Sequence, residues 1–231
     1  MRAIIESEPF ILAITVLSFW IGLVINKKWN RPITSPILIA VVILIPILLL
    51  LNIDYETYEQ NTHLITFLLG PTVVALGYNM HKQFDAIKAN LIPILLTVFV
   101  GSLVGVLSVM GICLIFKAPI EVMVSMEPKS VTMPIALGIS ARSGGILSLT
   151  AVSVATCGIF GSVIGPWLLD KLKIKSHVAK GLAMGAAAHG VGTGRAMQMG
   201  RIEGAVAGMA IGLMGVFTAV IIPVIEAVTQ S

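Results

Sequence analysis

The side chains of this sequence that could do chemistry fall in two stretches, 128–146 and 185–195, each set against long apolar runs. In the first, Lys129, Ser130 and Thr132 precede Pro134, and proline is well tolerated in the first turn of a helix. A half-helix starting near Thr132 would aim free N–H groups, the positive end of its dipole and a nearby ammonium at one point, which is the chemistry of an anion site. Ten residues on, Arg142 is followed by Ser143, Gly144 and Gly145, where backbone can approach a ligand closely. The second stretch carries His189, Thr193 and Arg195 among Gly190, Gly192 and Gly194. Each glycine weakens a helix by about 1 kcal/mol relative to alanine, so the spacing predicts an unwound segment. Plainer roles compete: Lys129 and Arg142 could snorkel to headgroups from loop ends, and His189 could bond a neighbouring helix in small-residue packing. Arg195 is harder to assign that way, because an intramembrane arginine costs at least a few kcal/mol unless it faces a pocket or partner.

The elements that must position these groups are helices in lipid. Of 231 residues, 57% are hydrophobic and 11% charged, with a mean hydropathy of +0.99, too few charges to cover a water-soluble globule. The +4 formal charge does not point to nucleic acid, since the fifteen Lys and Arg cluster in short gaps between apolar runs, as the positive-inside rule describes. The two cysteines, Cys113 and Cys157, lie inside apolar runs with no second Cys or His at metal spacing. No GxSxG, HExxH, Walker A or paired-carboxylate signature occurs, so neither an enzyme nor a metal or cofactor protein is expected.

Residues 9–26 read as a retained helix, stopped by Lys27, Lys28 and Arg31, with its amino end outside; a cleaved signal would carry its positive charge in front. Spans follow at 35–53, at 64–80 with an interruption at Gly70-Pro71, and at 91–116, where Gly101 and Gly105 have small-xxx-small spacing. A short amphipathic piece with Glu121 and Glu127 leads into 128–146, and a long apolar run covers 146–169. The gap holding Lys171, Lys173, Lys175 and Lys180 is the most basic and should be cytoplasmic. Residues 128–146 are then a re-entrant or broken element rather than a full span, a complete crossing at 130–145 being the competing count. Segments 178–200 and 204–228 complete a polytopic all-α bundle of seven or eight transmembrane segments. Arg201 and Glu203 read as boundary residues, Asp170 as a partner of the lysines after it, and the C-terminus as cytoplasmic.

An internal echo points to an inverted repeat with halves at about 9–117 and 118–231. Residues 31–37, RPITSPI, parallel 129–135, KSVTMPI, and 69–76, LGPTVVAL, parallel 190–197, GVGTGRAM. Opposite entry of two similar elements is a common plan of secondary transporters.

The strings PKSVTMPIA (128–136), GPWLL (165–169) and KGLAMGAAAHGVGTGRA (180–196), with the glycine-spaced last helix, resemble the LrgB/CidB family of bacterial inner-membrane proteins, including its YohK-like members. The domain of plastid glycolate/glycerate transporters is similar. The resemblance covers nearly the whole chain as a single transmembrane domain; Met133, where threonine is usual, and Gly194, where alanine is usual, depart from the pattern. It implies two functions. One is transport of small monocarboxylates such as glycolate, glycerate or pyruvate, which the basic and hydroxyl groups at helix breaks favour. The other is holin- or antiholin-like control of murein hydrolase activity and autolysis with a small LrgA/CidA-type partner. In the first, Lys129 or Arg195 neutralises the carboxylate near the bilayer midplane, Ser130, Thr132 and Thr193 bind it, Arg142 and Ser143 line the wall, and His189 carries a coupling proton. The glycine-paired helices fit packing within one subunit or in a homo-oligomer.

Overall fold

The computed structural model describes residues 2–29 and 34–229, and every regular element among them is helical. The chain divides into two compact units, Met1–Ala75 and Leu76–Ser231. In the first, α1 (Arg2–Ile5) and α2 (Glu8–Trp29) precede α3 (Pro36–Leu50), which carries Pro36 at its first position, where no backbone donor is needed. α2 packs on α3 so closely that a methyl group at Gly22 would lie 2.5 Å from the Pro36 carbonyl oxygen, and Asn26 Nδ2 donates to Thr34 O at 2.8 Å. Two short helices, α4 (Tyr55–Gln60) and α5 (His63–Phe67), follow. Next, α6 (Leu69–Lys82) runs across the division between the units.

The second unit continues through α7 (Phe84–Ala89) to α8 (Leu91–Ile115), then α9 (Ile120–Met126), a 3-10 turn (Glu127–Ser130) and α10 (Met133–Arg142). It ends with α11 (Leu147–Lys171), α12 (His177–Met199) and α13 (Arg201–Thr229). Its main core joins Ile94 and Val98 of α8, Val131 and Ala136, Val154, Leu182, and Val206, Ala210 and Met214 of α13.

Among the described residues, four helices are long and apolar enough to cross a membrane: α2, α8, α11 and α13. These match four of the expected seven or eight spans, and the higher count is not confirmed. α3 has 15 residues, about 22 Å, against a hydrocarbon core of about 30 Å. The expected span at 64–80 is two helices, α5 and α6, parted at Leu68 rather than at Gly70-Pro71. Pro71 falls in the first turn of α6, so it helps start that helix instead of breaking it.

The segment expected to span at 178–200 is instead a hairpin. A methyl group at Gly192 would lie 2.2 Å from the Met184 carbonyl oxygen, although eight residues of straight helix separate two positions by about 12 Å. The reversal falls at Ala188 (φ −131°, ψ 19°) and His189 (φ 39°, ψ −130°). Its entering arm, 177–187, lies along α13 in the same direction, Gly181 against Glu203 and Gly185 against Ala207. The leaving arm, 190–199, returns beside it and turns into α13 at Gly200. Each arm is about 15 Å long, half a bilayer core.

Residues 120–142 make a second re-entrant element. α10 has only 10 residues and runs back along α11, where Thr150 Oγ1 donates to Ser140 Oγ at 2.7 Å and the Ile146 N–H donates to Ser125 Oγ at 2.7 Å. The open end of this element meets the N-terminal end of α11. That of the α12 hairpin meets the other end, where Lys180 Nζ lies 2.9 Å from Asp170 Oδ1. A re-entrant element followed by a spanning helix thus occurs at 120–171 and again at 177–229, a shorter period than halves at 9–117 and 118–231. The 31–37 copy of the sequence echo falls partly on residues 31–33, outside the described residues.

Candidate functional site

The two re-entrant elements converge on the middle of α11. His189, 6% exposed, donates its Nε2–H to the Val154 carbonyl oxygen at 3.0 Å, which fixes the Nε2-protonated tautomer. Val131, at the turn of the other element, shares the buried cluster of Val154. α11 admits the hairpin tip because its facing residues are glycines: a methyl group at Gly158 would lie 2.6 Å from His189 Cε1, and one at Gly161 2.6 Å from Ala188 Cβ. Cys157 Sγ adds a 3.3 Å contact to the Ala187 carbonyl oxygen. The Val154 carbonyl, in the middle of a spanning helix, is the anchor that holds His189 at positive φ, a strained setting for a residue with a side chain.

Thr193 lies one turn past the tip and is 3% exposed, and its Oγ1 has no hydrogen-bond partner among the described residues. A buried hydroxyl without a partner is uncommon in a native fold and points to an acceptor or donor that arrives from elsewhere. At the other tip, Thr132 is the N-cap of α10 with no side-chain cap bond, and Pro134 occupies the first turn as its position suggests. Lys129 and Ser130 close the half-buried 3-10 turn, and Ser130 Oγ lies 4.0 Å from where a methyl group on Gly105 of α8 would be.

The remaining site residues are set apart. Arg142 and Ser143 end α10 and line a groove of about 560 Å³ shared with Ala219, Pro223 and Glu226 of α13. Arg195, on the leaving arm, is half-exposed and donates from Nη1 to Gln198 Oε1 at 2.7 Å. It sits four residues from the open end of the hairpin, so it escapes the cost of a midplane arginine. The eight expected residues thus fall in four places: Lys129, Ser130 and Thr132 at the turn of the first element, His189 and Thr193 at the tip of the hairpin, Arg142 and Ser143 in an outlying groove, and Arg195 on a hairpin arm.

Three features went unread in the sequence. Glu127, 4% exposed, is buried at the start of the 3-10 turn, although a carboxylate in an amphipathic piece reads as surface. Glu226 is an acid inside the last apolar run, a signal that was present in the sequence. Glu203, read as a boundary residue, is 4% exposed and its Oε1 lies 2.5 Å from His177 Nδ1. Asp170 does pair with a following lysine, Lys180.

Described residues that are helical in every regular element, with four membrane-length helices and two folded-back elements meeting on α11, define a polytopic membrane protein. The chain belongs to the LrgB family, whose model, described as LrgB-like, matches residues 15–228. It is 32% identical over 207 residues to the uncharacterized protein YwbG of Bacillus subtilis, covering 90% of this chain and 92% of that one. It is 30% identical to the holin-like protein CidB of Staphylococcus epidermidis and 31% identical to that of Staphylococcus aureus, in each case over 93% of both chains. No solved structure gives a significant match.

Proposed function

We propose that this chain is a holin-like protein of the bacterial cytoplasmic membrane that modulates murein hydrolase activity and autolysis together with a small LrgA/CidA-type membrane protein. The observation that carries this reading is its end-to-end likeness to proteins named holin-like protein CidB, over 93% of both chains. Co-expression tests it. Cells carrying this chain with the partner should change their rate of detergent-induced autolysis relative to cells carrying either alone, and an unchanged rate in all arms would overturn it.

A second reading, a carrier of small monocarboxylates such as glycolate, glycerate or pyruvate, has a specific observation in its favour. Two broken elements approach from opposite ends of α11, and a partnerless buried Thr193 hydroxyl lies one turn past the tip of the α12 hairpin. Broken helices of this kind surround the substrate sites of many secondary transporters. In this reading Lys129 supplies charge, Ser130, Thr132 and Thr193 supply hydroxyls, and His189 holds a proton. Arg142, Ser143 and Arg195 act at the approaches rather than at the centre. Saturable uptake of labelled acid into liposomes holding only this protein, lost in Thr193→Val, would establish the carrier. Liposomes that stay tight to all three acids, with and without the partner, would leave the holin-like reading.

A further inference from the structure

Beyond either reading, the face of the second unit where the α12 hairpin opens carries a cationic groove. About 400 Å³ in volume, it is lined by Lys82 at the end of α6, Gln83, Gly200 and Arg201, with Met197 and Ala205 as an apolar wall. Lys82 Nζ is held 4.6 Å over the Tyr78 ring, which orients the ammonium without neutralising it. Of the nearby acids, Glu203 lies against Gly200 of the groove wall but is bonded to His177, Asp170 is paired with Lys180, and Asp85 stands in the first turn of α7, three residues past Lys82. Two cations from separate segments face one groove with an amide beside them, and each repels the other unless an anion lies between. This groove is on the hairpin's open side, with Lys171, Lys173 and Lys175, where the ends of membrane helices meet lipid headgroups.

We infer that this groove binds the phosphate of an anionic phospholipid headgroup, with Arg201 and Lys82 on its oxygens, Gln83 as a further donor, and the start of an acyl chain against Met197. The exposed Met197 beside the two cations, at the end of the bundle where helix ends meet headgroups, is what assigns a lipid rather than a soluble phosphate. Guanidinium and ammonium are suited to phosphate oxygens, and a basic pocket between membrane helices is a known way to hold a headgroup.

Thermal unfolding of the full chain in nanodiscs tests this. Discs containing phosphatidylglycerol should raise the unfolding temperature above that in phosphatidylcholine alone. Lys82→Gln with Arg201→Gln should abolish that difference, whereas Lys173→Gln with Lys175→Gln, which removes the same charge from the neighbouring loop, should keep it. Equal unfolding temperatures in the two lipids would overturn the inference, as would equal loss in both double variants. Inorganic phosphate that reproduces the shift in phosphatidylcholine discs would overturn the lipid assignment.

Discussion

Substituting the three glycines of the hairpin's leaving arm one at a time separates a folded-back α12 from a single long helix. A methyl group at Gly192 would meet the Met184 carbonyl oxygen at 2.2 Å and Ala188 Cβ at 2.6 Å, so the arms must separate by about 1 Å. The obstructing atom is backbone and cannot swing aside, which puts Gly192→Ala at the upper end of overpacking costs, about 3 kcal/mol. Gly190 and Gly194 have no such neighbour within 4 Å. There alanine gains helix propensity, so Gly190→Ala and Gly194→Ala should stabilise by up to about 1 kcal/mol. The split between chemically identical substitutions is about 4 kcal/mol. Thermal melts in one detergent, followed with a thiol-reactive fluorophore at Cys113 and Cys157, would read it as a much lower midpoint for Gly192→Ala alone. If all three variants melt together, residues 184 and 192 are not apposed and the hairpin is wrong.

At the tip, His189→Gly should be more stable than His189→Ala by about 1 kcal/mol in the same melts, because both lose the bond to Val154 O and only glycine relieves the positive φ. A double-mutant cycle of Ser140→Ala and Thr150→Val should give a coupling of about 1 kcal/mol, the net worth of the buried hydroxyl pair between α10 and α11. Asp54 caps α4 by accepting from the Thr57 N–H at 2.7 Å, and that bond holds its carboxyl below the usual range. The cap's contribution is therefore present above the unfolded carboxyl pKa and is lost as pH falls through the folded one. The protection of the Thr57 amide, its exchange rate relative to that of an unstructured amide at the same pH, should fall on acidification below about pH 4, and Asp54→Asn, which accepts without titrating, should remove that fall.

The sequence made the membrane class and the position of both interruptions legible, because rare charges and glycines inside apolar runs have few uses in lipid. Pro134 marked the start of α10 and the glycine-rich stretch marked the break near His189. What it could not convey was the sense of the break. A run of small residues reads alike whether the chain unwinds and continues or folds back on itself, and the difference lies in contacts such as Gly192 on Met184 and Gly158 on His189. The same limit hid Glu203: an acid in the first turn of a helix is ordinarily a surface residue favourable to the dipole, and its burial depends on His177 arriving from the start of the hairpin. For Arg195, depth along a continuous span differs from depth on a hairpin arm, where it sits four residues from the open end.

The return of α12 to the end of α11 it departed from changes the parity of the chain. Counted as apolar segments, α11, α12 and α13 cross three times. If α11 and α13 each cross and the folded-back α12 does not, the count is two, and the lysine-rich loop at 171–175 and the carboxyl end of α13 would lie on opposite sides of the bilayer. If the loop faces the cytoplasm, as the charge rule requires, a reporter fused after Thr229 is delivered to the exterior, where it shares a side with Arg142, Glu226 and any partner or wall component that approaches from there.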